Sequence, residues 1–163
     1  MNERTFDSVG LDTVVRLLRQ VAAEEIMPRF GRLQPGQVRE KTSSFDVVTE
    51  ADEVAERAIT AGLKVAFGGA YVVGEEAVGR DPSLLSLLAT SELVFVVDPL
   101  DGTKNFASGL PLFGVMVAVL ARGEVVASVI HDPVGQSTAC ALRDRGAWLL
   151  APDGSRTPLQ VAS

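Results

Sequence analysis

The sequence predicts an α+β fold in which two N-terminal helices pack on one mainly antiparallel or mixed sheet. Early in the chain, apolar residues recur at helical spacing in two separate stretches. From about residue 70 the period becomes extended, and β-branched residues dominate. These later runs follow one another across short Gly, Pro and Asp turns, which is the pattern of helices layered on a sequential sheet.

The first helix is marked by Leu11, Val14, Val15, Leu18, Val21, Ala22 and Ile26, which share one face, and Pro28 and Gly31 end it. A polar loop, "GRLQPGQVREKTSSF", follows, with Pro35-Gly36 as a turn. The second helix is predicted from about Glu50 to Phe67, with Val54, Ala55, Ala58, Ile59, Leu63 and Ala66 as its buried stripe and Gly68-Gly69 closing it. Strand-like runs come next: "AYVVGEE", "LVFVV", "LFGVMVAVLARG", "EVVASVIHDP" and "STACALRDRGAWLL", with a short helix at "DPSLLSLLATS" between the first two. Arg122-Gly123-Glu124 reads as a hairpin connection, and Asp132-Pro133-Val134-Gly135 as another. No internal repeat or low-complexity segment interrupts the chain, so residues 1–163 are expected to form a single domain.

Composition narrows the classes. With 163 residues, 47% of them hydrophobic and 22% charged, the chain is long and apolar enough for a full core. Its 21 acidic residues outnumber 15 basic ones for a net charge of −6, which argues against nucleic acid and anionic membranes as partners. A small anionic substrate stays possible, because a bound cation reverses the local field. The N-terminal "MNERTFDSVG" has no apolar signal core, and no apolar run approaches bilayer length. With one cysteine, Cys140, no intrachain disulfide can form. The expectation is a soluble cytoplasmic protein with Cys140 in the core. His131 precedes Asp132, but neighbours on a strand face opposite ways, so the pair reads as structural rather than as a catalytic dyad.

The chemistry concentrates in "VFVVDPLDGTKNF". Pro99 cannot donate to a sheet ladder, so the strand is expected to end there, with a turn folding Asp101 back towards Asp98. Two carboxylates plus the freed carbonyl of Leu100 form a hard-oxygen set suited to Mg²⁺. An ordinary turn explains the pair alone; the dense combination with Thr103, Asn105 and Gly109 favours a site. Glu75 and Glu76 follow a second strand end in "YVVGEE", and Glu75 completes the set if the two strands are neighbours. Gly102 allows close backbone approach, and free N–H groups in the turn after it suit a phosphate. The Thr103 hydroxyl stands where it can orient an attacking water. In "KTSSFDVVTEAD", Thr49 and Asp52 read as a capping box for the second helix, and Asp52 reads equally as the acceptor for Thr103.

Taken in order, "KTSSFDVVTEAD", "VVGEE" and "VVDPLDGTKNFASGLPLFGV" resemble the amino-terminal part of the inositol monophosphatase family, with "SVIHDPVGQSTACALRDRGAWL" similar to its later strands. The resemblance implies a Mg²⁺-dependent, lithium-sensitive phosphatase that commonly dimerises. It implies metal ligands at Glu75, Asp98, the carbonyl of Leu100 and Asp101, with Asp98 bridging two ions. Substrate contacts are implied at the same Glu75, Leu100 and Asp101 and at the backbone of Gly102 and Thr103, and water activation by Thr103 with Asp52. Lys41 takes the position of a site lysine, and Asp46 and Thr49 are structural. Lys104 stands where inositol-type members carry a second threonine. That keeps 3′-phosphoadenosine 5′-phosphate, histidinol phosphate and fructose-1,6-bisphosphate open beside inositol-1-phosphate. Family members continue into a second domain whose W-D-x-A-A-G-type aspartate completes the second metal site. Here the single tryptophan, Trp148, lies in "RGAWLL", and Asp132, Asp144 and Asp153 lie in turn contexts. The chain is therefore expected to be the metal-binding N-terminal half of such a fold. A non-catalytic module binding Mg²⁺ or phosphate is the alternative.

Overall fold

A computed structural model describes residues 6–33, 36–43 and 46–160, without the side chains of residues 40–43 and 46. Helix α1 spans Ser8–Val21, started by Asp7, whose Oδ1 accepts from the Gly10 N–H at 2.9 Å. Its stripe of Leu11, Val14, Val15, Leu18 and Val21 is buried. The sequence predicts one α-helix through Ile26. Instead, Ala22–Ile26 widens into a π turn and Met27–Arg29 tightens into a 3₁₀ turn. Pro28 has no N–H to donate and its ring crowds the carbonyl four residues back, so regular α geometry cannot pass through it. The wide turn keeps both Ala22 and Ile26 in the core.

One element departs from the expected loop. Strand β1 (Val38–Ser43), within the stretch that the sequence reads as a polar loop, pairs with β2 (Asp46–Thr49) in an antiparallel ribbon. An Arg39–Glu53 ion pair of 2.7 Å ties the ribbon to helix α2 (Glu50–Ala66). The backbone of Lys41 lies in β1, while its side chain and that of Asp46 lie outside the described residues. Helix α2 has the predicted bounds, but its buried stripe is Ala51, Asp52, Ala55, Glu56, Ile59 and Leu63, and Ala66 is exposed. Two carboxylates thus occupy core-facing positions.

Strands β3 (Tyr71–Gly74), β4 (Leu93–Asp101), β5 (Gly114–Ala121), β6 (Glu124–His131), β7 (Thr138–Leu142), β8 (Gly146–Leu150) and β9 (Arg156–Leu159) form one sheet in chain order. β3 runs parallel to β4, and every later neighbour is antiparallel, so the sheet is mixed. Between β3 and β4 lie helix α3 (Glu75–Arg80), a 3₁₀ turn (Pro82–Ser86) and helix α4 (Leu87–Thr90); helix α5 (Thr103–Ala107) follows β4. The last run of the sequence splits at Asp144 (φ 64°) into β7 and β8, and β9 extends the edge beyond it. Arg122 (φ 53°) and Gly123 (φ 81°) make the expected two-residue hairpin turn.

One correction bears on the site. β4 does not end before Pro99: it continues to Asp101, which pairs with Gly114. The register shifts between Asp98 and Asp101. Pro99 falls in that bulge, where no ladder hydrogen bond is required of it.

Helices α1 and α2 pack on one sheet face against Phe95, Val97, Val115, Val117, Val119, Ala127, Val129, Cys140 and Leu142, all buried. Burying each large aliphatic or aromatic side chain stabilises the layer by roughly 1.5–3 kcal/mol. Arg19 of α1 reaches across to β7 and β8, donating from Nε to Thr138 Oγ1 at 3.1 Å and from Nη2 to the Leu150 carbonyl at 3.3 Å. The His131 ring sits in the same network, Nδ1 lying 3.1 Å from both the Ser137 carbonyl and Thr138 Oγ1, and burial holds its pKa below the usual value. Its neighbour Asp132 accepts from the Val134 and Gly135 N–H groups in the turn, so the two side chains serve separate structural roles.

Candidate active site

The parallel register of β3 and β4 sets Gly74 beside Val97, so Glu75, just past the end of β3, and Asp98, within β4, follow at the same level. Asp98 is half-buried, with its Oδ1 accepting from the Leu100 N–H at 3.2 Å. Its carboxyl is pushed up to about 7, by burial first and then by the negative charges of Glu75 and Asp101. A hydrogen bond between Glu75 and Asp98 acts in the same direction, since two carboxyl groups can share one only when a proton stays on the pair. The bulge in β4 is what brings Asp101 round to the same charge cluster.

Next to this cluster, Thr103 opens α5. Its hydroxyl lies 2.9 Å from Asp52 Oδ1 and 2.9 Å from the Leu100 carbonyl, two acceptors for a single proton. Asp52 is 1% exposed, and its other oxygen accepts from the Thr49 N–H at 2.8 Å and the Thr49 hydroxyl at 2.5 Å. The Thr49 hydroxyl in turn accepts from the Ala51 N–H, completing the capping box. The two sequence readings of Asp52 are therefore both realised, one on each oxygen. Burial raises its pKa, and the hydrogen bonds from Thr49 and Thr103 oppose that rise.

Gly102 makes the turn between bulge and helix. It has φ 85°, and a Cβ there would come within 2.9 Å of the Leu112 carbonyl, so both backbone angle and space require glycine. Asn105 Nδ2 donates to that same carbonyl at 2.8 Å. Beneath the turn, Phe106 packs edge-on against Phe113 with centroids 5.1 Å apart, and both contact Phe30. These rings anchor α5 to the core.

Glu56 is the residue that the sequence reading missed. One turn along α2 from Asp52, it accepts from the Glu76 N–H at 2.7 Å and the Ala77 N–H at 2.9 Å. The signal was available: residues 52, 56, 59 and 63 continue one helical stripe, so an acid at 56 is placed in the core.

All the candidate ligands are oxygens, which suits a hard cation, and the mutual repulsion felt at Asp98 is what a cation would relieve. As they stand, the side chains are not closed into a cage: among the described residues no group of three His, Cys, Asp or Glu is arranged to hold a metal ion.

The profile of the inositol monophosphatase family matches residues 9–163. The chain belongs to the inositol monophosphatase family. It is 33% identical over 138 residues to the fructose-1,6-bisphosphatase/inositol-1-monophosphatase of Thermotoga maritima, covering 85% of this chain and 49% of that one. It is 37% identical over 139 residues to the Nus factor SuhB of Pseudomonas aeruginosa, with 85% and 49% covered. Among solved structures it resembles the T. maritima IMPase with TM-score 0.76 and 31% identity, over 92% of this chain and 53% of that one. The extragenic suppressor protein suhB from Bartonella henselae gives TM-score 0.75 and 32% identity, over 87% and 52%. The chain thus spans about half the length of these two relatives. No helix among the described residues is long and apolar enough to cross a membrane.

Proposed function

We propose that this chain carries the metal-binding half of a site that hydrolyses a small phosphate monoester of the inositol-1-phosphate type by direct attack of water. The observation that carries this is the parallel β3–β4 register, which delivers Glu75 and Asp98 to one place beside the Thr103–Asp52 hydrogen bond. Glu75, Asp98, the Leu100 carbonyl and Asp101 are the groups that would hold Mg²⁺, which when bound neutralises charge on the phosphate and activates water. Asp52 holds the Thr103 hydroxyl by accepting its proton, which leaves the Thr103 oxygen lone pairs to receive a hydrogen bond from the attacking water. The Gly102 and Thr103 N–H groups bind the phosphate oxygens. Family kinship supports this reading, and the name of the T. maritima relative, a fructose-1,6-bisphosphatase/inositol-1-monophosphatase, supports the substrate class. Lithium sensitivity, a homodimeric state and a cytoplasmic setting belong to the same proposal.

The test is Mg²⁺-dependent phosphate release by the 163-residue chain from inositol-1-phosphate, 3′-phosphoadenosine 5′-phosphate, histidinol phosphate and fructose-1,6-bisphosphate, with light scattering to give the oligomeric state. Turnover that requires Mg²⁺ and disappears in Asp98→Asn is expected. A second reading, a non-catalytic module that binds Mg²⁺ or phosphate, is favoured by the open arrangement of the carboxylates. Saturable Mg²⁺ binding by a folded chain that releases no phosphate from any of the four compounds would establish it instead.

A further inference from the structure

The structure assigns Glu56 the role of a positioning residue that fixes Glu75 against Asp98 by gripping the first turn of α3 across a backbone contact that only Gly74 permits. This inference rests on the metal-binding reading above. Helix α3 has no side-chain cap of its own, because its N-cap position is Gly74. The Glu56 carboxylate supplies the missing acceptors from another helix, one oxygen taking the Glu76 N–H and the other the Ala77 N–H. It is 5% exposed, and Arg80, at the end of α3, lies 3.7 Å from the same carboxylate. Both ends of this short helix are thus referred to one buried group.

Gly74 shows why the contact is specific. Its backbone is ordinary extended chain (φ −95°, ψ 153°), which any residue adopts, so no turn demands glycine there. Space does: a Cβ at Gly74 would lie 2.4 Å from Glu56 Cδ and 2.4 Å from its Oε2. The glycine of "VVGEE" is the socket for a carboxylate that stands 18 positions earlier in the chain. Glu75 is flanked by the socket on one side and by the gripped Glu76 and Ala77 N–H groups on the other. Its direction towards Asp98 is therefore set by Glu56. Asp52, one turn earlier on α2, does the equivalent for Thr103, so a single face of one helix holds both loops of the site.

The test is Mn²⁺ binding to the whole chain by electron paramagnetic resonance, with amide exchange read at Glu76 and Ala77. It uses Glu56→Gln, Gly74→Ala, the pair combined, Asp98→Asn, and Leu63→Ala as a purely structural control. Glu56→Gln and Gly74→Ala should each weaken Mn²⁺ binding about 10-fold and speed exchange at both amides, and the double variant should be no weaker than the worse single one. Leu63→Ala should melt earlier yet bind Mn²⁺ as the parent does. Wild-type Mn²⁺ affinity in folded Glu56→Gln and Gly74→Ala, beside its loss in Asp98→Asn, would overturn the role of Glu56 and leave the metal site standing. A folded parent chain without saturable Mn²⁺ binding would overturn the metal site, and this inference with it.

Discussion

Asp98 has a measurable signature without any substrate. Its carboxyl is held up to about 7 in the folded chain, by burial and by Glu75 and Asp101, against an ordinary value of 3.8 when unfolded. Between those values the folded state keeps a proton that the unfolded chain has released, so stability falls as pH rises. In chelator-containing buffer, thermal melts should drop from about pH 4 to about pH 7 by more than in Asp98→Asn. At pH 8 the Asn variant should melt a few degrees higher, for roughly 1–2 kcal/mol after discounting for solvent. Equal slopes for the two proteins would show that the three charges do not share a field. Thr103 offers a second test. Thr103→Ser keeps the donor for Asp52 and should hold stability within about 1 kcal/mol, whereas Thr103→Val leaves a buried carboxylate oxygen without its partner and should lose about 1–3 kcal/mol. On the proposed mechanism, phosphate release should fall by about 100-fold or more in the valine variant alone. At this scale the sequence was legible because Asp98, Asp101 and Thr103 fall in one short segment, although it missed the bulge that carries β4 past Pro99. For Glu56 the stripe gave burial alone, because its partners lie 20 and 21 residues away.

Among elements, the turn from β4 into α5 is the most constrained. Gly102→Ala puts a Cβ against the Leu112 carbonyl at a positive φ, and should cost about 1–3 kcal/mol while displacing Thr103 from Asp52. A proton NMR resonance from the Thr103 hydroxyl bonded to Asp52, seen in the parent and retained in the alanine variant, would argue that the turn absorbs the change. The long amphipathic helix α2 and the hydrophobic strands were visible as periodicity, since burial of one face imposes its period on the sequence. The β1–β2 ribbon was not, because it pairs only with itself and strands of six and four residues are too short to show a period. Helix α3 was hidden for another reason: six residues are too few to show a period, and the acceptors for its first N–H groups come from α2. Pro99 misled in the opposite direction, since a bulge lets a strand carry a proline that a regular ladder would reject.

Across the whole molecule, the sheet has helices α1 and α2 on one face. On the other, a cross-strand row runs from Asp98 through Met116, Ile130, Ala139 and Leu149 to Thr157. Adjacent residues of β6 report the difference: Val129 is fully buried under the helices, while Ile130 is 46% exposed. Val129→Ala should therefore cost about 2 kcal/mol in chemical denaturation and Ile130→Ala less than about 1 kcal/mol. A cost at Ile130 that matches Val129 and grows with protein concentration would mean that a second copy covers this face in solution. The sequence by itself determined the helix-then-strand order, the apolar stripes and the grouping of Asp98, Asp101 and Thr103 in one short segment, because each is written in residues within one helical turn or one strand of each other. Only the tertiary structure decided that β3 lies parallel beside β4, that Asp52 serves its own helix and Thr103 together, and that Glu56 fits the socket at Gly74. Those facts depend on which surfaces meet in space, and nothing in the local spacing of residues encodes a meeting between elements that loops of many residues keep apart.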